Sequence, residues 1–213
     1  MRVMDQKLEY KILCETQKHW QNYKTKNNID DNSCILAVNF AHKILSALDV
    51  PHVIVPIGTT VFNKDGYDHF GKPASELPDS AWSVHCSTRS TGSGFSGHLV
   101  IETENYLLDL TALQFERKNH NIVIGESLIV PHGDMEVFVR DSNPCSINKL
   151  FGAHVVYKFS LSEGIYTYYE EEWNKVYTKS ADWKATYREL GIAKVVESIK
   201  QDLTLWHPPS TIY

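Results

Sequence analysis

The first residue type that could do chemistry is a cysteine, Cys34, at the start of an apolar run. Asp31, Asn32 and Ser33 precede it, and all three are residue types that cap helix N-termini. A cysteine in the first turn of a helix meets unpaired backbone N–H groups and the positive end of the helix dipole, which stabilise a thiolate. The thiolate is the nucleophilic form, and the same N–H groups can hold an oxyanion. Taken alone, a cysteine is more commonly a small buried apolar side chain.

A histidine and an aspartate further along the chain can meet on one face of a predicted β-hairpin. Residues 97–103 and 106–111 have the composition of strands, and Glu104-Asn105 can form a tight turn between them. With a two-residue turn, His98 and Asp109 become diagonal neighbours on the same face. A four-residue loop keeps this register, whereas a three-residue loop would put the two side chains on opposite faces.

His98 in this arrangement would be the general base for Cys34, and Asp109 would orient the imidazole and stabilise the imidazolium. The alternative for His98 is a hydrogen-bonded structural histidine, since the chain has ten histidines. Asp109 lies within Leu-Leu-Asp-Leu-Thr, and burying a carboxylate there is costly unless it is paired or hydrogen-bonded. A Cys-His-Asp triad would supply that partner.

Taken together, these motifs resemble the transglutaminase-like, papain-like cysteine enzyme superfamily. The chain has a Cys that opens a long apolar helix, then a buried strand, then Gly97-His98-Leu99-Val100, and then Leu108-Asp109-Leu110-Thr111-Ala112-Leu113-Gln114-Phe115. The Asp-x-Thr-x-x-Gln-Phe stretch is similar to bacterial papain-fold and transglutaminase-like proteins in particular. The resemblance covers residues 30–116 and implies catalytic roles for Cys34, His98 and Asp109. It also implies a transglutaminase-like/papain-like fold, with the Cys on a helix start and the His and Asp on adjacent strands.

Two departures from the family pattern concern the surroundings of Cys34. The usual bulky aromatic beside the nucleophile is absent, because Ser33 precedes Cys34 and Ile35 follows it. The side-chain oxyanion donor has several candidates. Three residues are candidates for substrate or oxyanion contacts: Asn28, Asn32 and Gln114.

The elements that would position these residues are helices near both ends of the chain and mainly antiparallel strands between them. Apolar residues at three- and four-residue steps predict helices over residues 5–25, 34–48 and 182–203. Strands are predicted over residues 52–58, 82–86, 97–103, 106–111, 122–130, 135–139, 155–161 and 166–169. Helices first and strands afterwards indicate an α+β fold with the N-terminal helices packed on the sheet. A length of 213 residues fits one domain, residues 1–213.

Composition and charge favour some classes of protein over others. A net charge of −5 and a pI of about 6.0 give no basic surface for nucleic acid. The N-terminus lacks the apolar segment of a secretory signal, and the apolar run 34–48 is too short to span a membrane. Four widely spaced cysteines without a Cys-x-x-Cys pair are typical of reduced thiols, so we expect a cytoplasmic protein.

The expected function is that of a cysteine hydrolase or acyltransferase that acts on an amide bond (peptide, isopeptide or glutamine side chain) through an acyl-enzyme. Its partner would be a peptide, protein or small acyl substrate, and the segment 63–96 would border the cleft. This chemistry requires no metal or organic cofactor. A metal site at His85, Cys86 and His98 is a weaker alternative, since no second close ligand pair appears. Competing hypotheses are acylation of an amine, a catalytically inactive binding module of the same fold, and a structural protein in which the three residues never meet.

Overall fold

The computed structural model describes residues 4–30, 33–86, 98–124, 127–132, 136–140, 143–150, 153–159 and 191–204. The helices in these ranges are α1 (Gln6–Asn27), α2 (Cys34–Ala47), α3 (Lys64–Asp68) and α4 (Ile192–Thr204). The strands are β1 (His52–Phe62), β2 (Ser83–Cys86), β3 (His98–Thr103), β4 (Tyr106–Asp109), β5 (Leu128–Pro131), β6 (Glu136–Arg140), β7 (Asn143–Leu150) and β8 (Ala153–Phe159). Short 3₁₀ turns cover Ala74–Glu76, Ala112–Phe115 and Lys118–His120. The described chain is therefore mixed α+β, as the order of elements predicts.

Helix α1 is capped by Asp5 at its N-terminus and by Asn28 at its C-terminus. The Asp5 carboxylate accepts the N–H of Leu8 at 3.0 Å, which satisfies one of the unpaired donors of the first turn. Asn28 ends the helix in the left-handed conformation with φ 50°, a conformation that asparagine tolerates better than most residues. One side of the helix buries apolar residues, with Trp20 fully covered against Phe40 of α2. This packing holds α1 beside the helix that begins with Cys34.

Helix α2 is apolar around most of its circumference because it is covered on several sides. It packs on β3, α1 and α4 and buries Ala37, Val38, Phe40, Ala41, Ile44 and Leu45. Its first backbone hydrogen bond joins the Ala37 N–H to the Ser33 carbonyl at 2.9 Å. The helix therefore starts at Cys34, which lies in the first turn as the sequence predicts.

A pair of histidines ties the end of α2 to the start of β1. His42 Nδ1 lies 2.8 Å from His52 Nε2, and His52 Nδ1 lies 2.7 Å from the Val50 carbonyl oxygen. His52 therefore donates from Nδ1 to Val50, and its other nitrogen accepts the N–H of His42. Burial and the neighbouring His52 lower the pKa of His42 to about 4.

The strands form one sheet in the order β5-β4-β3-β1-β8-β7-β6, and every pairing is antiparallel. β1 is longer than its neighbours. One edge of β1 pairs first with β3, ending at Ile57 opposite His98, and then with β2, starting at Thr59 opposite Cys86. Its other edge pairs with β8. Two strands thus share one edge of β1, end to end.

The two faces of the sheet bury different apolar clusters. One face packs against α1, α2 and α4, where Leu99 and Ile101 of β3 meet residues of α2. On the opposite face, Ile57, Val100 and Leu107 join the apolar residues that follow β4. Successive strand residues alternate between faces, so His98 shares the second face with Ile57 and Val100. His98 is the first residue of β3 and is fully buried.

Several predicted elements are confirmed. The helices over residues 5–25 and 34–48 correspond to α1 and α2, and the strands over 82–86, 97–103, 106–111, 135–139 and 155–161 correspond to β2, β3, β4, β6 and β8. The strand predicted over 52–58 extends to Phe62, because Thr59 to Phe62 find partners on both edges. The strand predicted over 166–169 lies outside the described residues, and the helix predicted over 182–203 is described only as α4.

The strand predicted over residues 122–130 is wrong in its first half. Asn121 takes the left-handed conformation with φ 57°, and Ile122 turns back to form an isolated bridge with Arg117. The N–H of Ile124 then donates to the carboxylate of Glu116 at 3.1 Å. Because these backbone groups are satisfied locally, strand pairing begins only at β5. Strand β7 was not predicted, since its sequence contains Pro144 and alternates weakly.

Candidate active site

His98 and Asp109 meet through the register of the β3–β4 hairpin. Ile101 opposes Leu108 and Glu102 opposes Leu107, which is the register of a two-residue turn between Thr103 and Tyr106. His98 Nε2 lies 2.7 Å from Asp109 Oδ2, and both side chains have no exposed surface. The predicted pairing of these two residues is therefore present.

The second carboxylate oxygen of Asp109 is held by the backbone just beyond its own strand. The N–H of Thr111 donates to Asp109 Oδ1 at 2.9 Å. A buried carboxylate with both oxygens engaged avoids most of the cost of desolvation. With Oδ1 anchored to the backbone, Oδ2 can point in only a narrow range of directions. The orientation of Asp109 is fixed for His98.

The other nitrogen of the His98 ring faces Gln114. Gln114 Nε2 lies 2.9 Å from His98 Nδ1 and 3.3 Å from Thr111 Oγ1. The 3₁₀ turn Ala112–Phe115 folds this side chain back toward the ring. Phe115, the next residue, meets the imidazole edge-on, with ring centroids 5.1 Å apart and planes at 82°. The ring is therefore contacted at both nitrogens and by an aromatic neighbour.

Cys34 approaches the same ring from the start of α2. It is only 7% exposed, and its side chain is among the neighbours that raise the pKa of His98. Asp109 engages Nε2, which leaves Nδ1 for any other partner of the ring. The backbone N–H groups of the first turn of any helix have no partners within that helix. Ser33 places no side-chain hydrogen bond on these donors.

The electrostatics of the ring follow from these neighbours. Burial alone lowers the pKa of His98, but the Asp109 carboxylate and the Cys34 side chain outweigh burial and raise it to about 10. An imidazolium is therefore the favoured form of His98 at neutral pH.

The other two predicted oxyanion residues do not join the site in the same way. Asn28 is exposed, and its conformation serves to end α1, where its N–H donates to the carbonyls of Lys24 and Thr25. Among the described contacts, none joins the Asn28 side chain to Cys34 or His98. Asn32 lies outside the described residues. Gln114 is thus the one of the three that the described residues bring to the His98 ring.

A second thiol, Cys86, lies beside the site, and the sequence associates it with His98 only in the metal-site alternative. Cys86 opposes Thr59 and His98 opposes Ile57, so the two side chains share a face of the sheet at adjacent positions along one edge. Burial and the nearby Cys34 raise the pKa of the Cys86 thiol to about 11. The sequence predicts β2 as a strand, but only its pairing with β1 shows that its last residue, Cys86, lies next to His98.

The described residues give no support to a metal site at this position. His85 opposes Thr60, and its Nδ1 lies 2.9 Å from Thr60 Oγ1, on the face away from Cys86 and His98. In the described ranges no group of three or more His, Cys, Asp or Glu side chains is arranged so that it could hold a metal ion. The alternative of a metal bound by His85, Cys86 and His98 is therefore wrong in its geometry.

Comparison with other proteins adds nothing to these contacts. Among the helices of the described ranges, none is both long and apolar enough to cross a membrane. Searches against protein-family models, curated proteins and solved structures found no match for this chain. What the chain does has to be inferred from Cys34, His98, Asp109 and their neighbours.

Proposed function

We propose that this chain is a thiol-dependent hydrolase of amide bonds with a transglutaminase-like, papain-like fold. Cys34 is the nucleophile, His98 the general acid and base, and Asp109 the residue that orients His98. The observation that carries the proposal is one buried imidazole ring with an aspartate at Nε2 and the helix-start Cys34 among the groups that raise its pKa. The order of elements supports the fold, since the Cys begins a helix and the His and Asp lie on adjacent strands.

The first half of the reaction transfers the acyl group to sulfur. The Cys34 thiolate attacks the carbonyl carbon of the amide and forms a tetrahedral intermediate. His98 then donates its Nδ1 proton to the leaving nitrogen, the C–N bond breaks, and an amine departs from a thioester. Asp109 keeps Nε2–H in place throughout, so that Nδ1 is always the nitrogen that exchanges the proton.

The second half returns the enzyme to its starting state. Neutral His98 takes a proton from water as the oxygen attacks the thioester, and collapse of the second intermediate breaks the C–S bond. A carboxylic acid leaves, and the thiolate and imidazolium are restored. The N–H groups of the first turn of α2 are the donors best placed to hold the oxyanion in both halves. An amine in place of water would give acyl transfer by the same steps.

The substrate of the proposed enzyme is a peptide, a protein or a small acyl compound. Such a substrate must reach Cys34, a residue that is only 7% exposed, near a histidine and an aspartate that are fully buried. This burial favours a second candidate function, a binding module of the same fold in which the triad geometry persists without turnover. The two candidates differ in one measurable property, the reactivity of Cys34.

The test is the pH dependence of Cys34 alkylation by iodoacetamide, with the modified residue identified by mass spectrometry. An ordinary thiol with a pKa of about 8.5 is only about 1% thiolate at pH 6.5. The wild type should react at this pH at least about tenfold faster than His98→Ala, because the imidazolium stabilises the thiolate. His69→Ala is the matched control, since His69 lies on the separate helix end of α3 and donates to the Asp65 carbonyl.

The hydrolase proposal fails if Cys34 is inert or if its reactivity is the same in His98→Ala. Either result would favour the binding module. A reactive Cys34 would justify screening amide substrates for release of an amine and an acid. Retention of secondary structure by circular dichroism is required of every variant before its rate is interpreted.

A further inference from the structure

Gln114 contacts the nitrogen of the candidate base that Asp109 does not engage. Gln114 Nε2 lies 2.9 Å from His98 Nδ1, whereas Asp109 Oδ2 lies 2.7 Å from Nε2. In the proposed reaction, Nδ1 is also the nitrogen that exchanges a proton with Cys34. An imidazole nitrogen has either one lone pair or one N–H in the plane of the ring. The proton that moves in the proposed reaction therefore has to move at a position that Gln114 already occupies.

The polarity of the amide decides which form of the ring it stabilises. With its NH₂ group toward Nδ1, Gln114 donates to a neutral ring and opposes protonation at that nitrogen. With its carbonyl oxygen toward Nδ1, the same amide accepts from an imidazolium. A half turn about the last side-chain bond exchanges the two arrangements. The amide can therefore serve both protonation states of His98, which a carboxylate or an ammonium group cannot.

Thr111 is suited to both arrangements as well. Its Oγ1 lies 3.3 Å from Gln114 Nε2 and can accept from the NH₂ group. After the half turn, the same hydroxyl can donate to the amide oxygen, because a threonine hydroxyl is both donor and acceptor. Thr111 also donates its backbone N–H to Asp109. Thr111 is therefore hydrogen-bonded to Asp109, the partner of Nε2, and to Gln114, the partner of Nδ1.

We propose that Gln114 is a positioning residue for His98, whose amide turns with the protonation state of the ring during the reaction. The proposal rests on the proposed function, in which His98 alternates between imidazolium and neutral imidazole. Gln114 differs here from the oxyanion donor that the sequence predicts, because its amide is bonded to the base. With Asp109 at Nε2 and Gln114 at Nδ1, the ring plane is fixed from both ends in each state.

The titration of His98 tests this proposal without a substrate. The groups that face the ring are Asp109 from β4, Cys34 from α2 and, nearby, Cys86 at the end of β2. All three stay unchanged in the variants Gln114→Glu, Gln114→Leu and Thr111→Val. The readout is the ¹⁵N chemical shift of the His98 ring in protein labelled at histidine, with the signal identified by its loss in His98→Ala.

The two Gln114 variants should shift the titration in opposite directions. A glutamate can only accept, so Gln114→Glu should hold the imidazolium to a higher pH, by about one unit or more. Gln114→Leu removes both the amide oxygen that accepts from the imidazolium and the NH₂ group that donates to the neutral ring. The hydrogen bond to the charged ring is the stronger of the two, so the pKa of His98 should fall by up to about one unit. Thr111→Val should give a smaller downward shift.

A residue that only packs, or one that only binds the oxyanion, would leave the His98 titration of the substrate-free protein unchanged. Identical titrations in wild type, Gln114→Glu and Gln114→Leu would therefore overturn the proposal. Shifts of the same sign in both variants would also overturn it. Failure of the proposed function is distinct, because it shows as Cys34 reactivity that ignores His98→Ala in the protein with Gln114 intact.

Discussion

His98 and Asp109 lie on neighbouring strands with Nε2 and Oδ2 2.7 Å apart, and neither side chain has any exposed surface. A carboxylate and an imidazole removed from water in this way depend on each other. The pairing fixes the tautomer of the neutral ring, since Nε2 must carry the proton to meet Asp109. Nδ1 is then the nitrogen that can accept a proton from Cys34.

Asp109→Asn should lower the reactivity of Cys34, because it moves the proton of the neutral His98 ring from Nε2 to Nδ1. The N–H of Thr111 would hold the Asn carbonyl oxygen, which turns the NH₂ group toward Nε2. Nε2 would then have to accept, and the proton would reside on Nδ1, where it cannot be received from Cys34. We expect the alkylation rate near neutral pH to fall to that of His98→Ala, and amide turnover to fall by about 10⁴-fold. If iodoacetamide alkylated Cys34 as fast in Asp109→Asn as in the wild type, the result would contradict this assignment of the His98 tautomer.

The stability of the protein should depend on the charge of His98 at alkaline pH. The pKa of His98 is about 10 in the folded protein and 6.5 in an unfolded chain, so the folded state holds the proton more tightly. The stabilisation is fully present below 6.5 and is lost as the pH rises from 6.5 through 10. Urea unfolding across this range should show a steeper loss of stability for the wild type than for His98→Gln. Parallel curves for the two proteins would exclude this linkage.

A different histidine should control stability at acid pH. The pKa of His42 is lowered from 6.5 to about 4, so the unfolded chain takes up a proton that the folded protein refuses. Stability should therefore fall as the pH drops from 6.5 to about 4. Because His42 is only half-buried, we expect a loss of about 1 kcal/mol after allowance for solvent screening. His42→Phe should flatten this part of the curve, whereas His69→Phe should leave it unchanged.

Cys86 should react far more slowly than Cys34, although both are thiols and lie near each other. Burial and the nearby Cys34 raise the pKa of Cys86 to about 11, so Cys86 stays protonated at neutral pH. Mass spectrometry after brief alkylation near pH 7 should find the label on Cys34 and little on Cys86. In Cys34→Ala the pKa of Cys86 should fall, because one of its two causes is removed. Equal labelling of both thiols in the wild type would be evidence against this difference.

The His98–Asp109 pair was predictable because its geometry is set by local rules. Two strands of alternating composition joined by Glu104-Asn105 allow few registers, and the observed register follows from the shortest turn. The position of Cys34 was predictable for a similar reason, since capping residues directly precede a run with helical periodicity. Such features depend on residues that are close in the chain.

The features that were missed depend on contacts between distant parts of the chain or on folded-back turns. Residues 122–124 have the composition of a strand, but Glu116 and Arg117 take up their backbone groups. Cys86 joins the site only because β2 and β3 occupy the same edge of β1. Gln114 was recognised as a candidate, but its contact with His98 required the 3₁₀ turn that reverses the chain after Thr111.

The end-to-end placement of β3 and β2 along β1 lets two features of the chain change independently. One is the position of Cys86 and His98 on the sheet, and the other is the sequence that connects them. Cys86 and His98 are each anchored to β1, through Thr59 and Ile57, and not to each other. Both strands are held on β1 by their own backbone pairing, at positions two residues apart on one edge. A change in the length or composition of residues 87–97 would therefore leave the pairing of Cys86 and His98 with β1 intact. Under the proposed function, substrate preference could change in this way with no cost to the groups that transfer the proton.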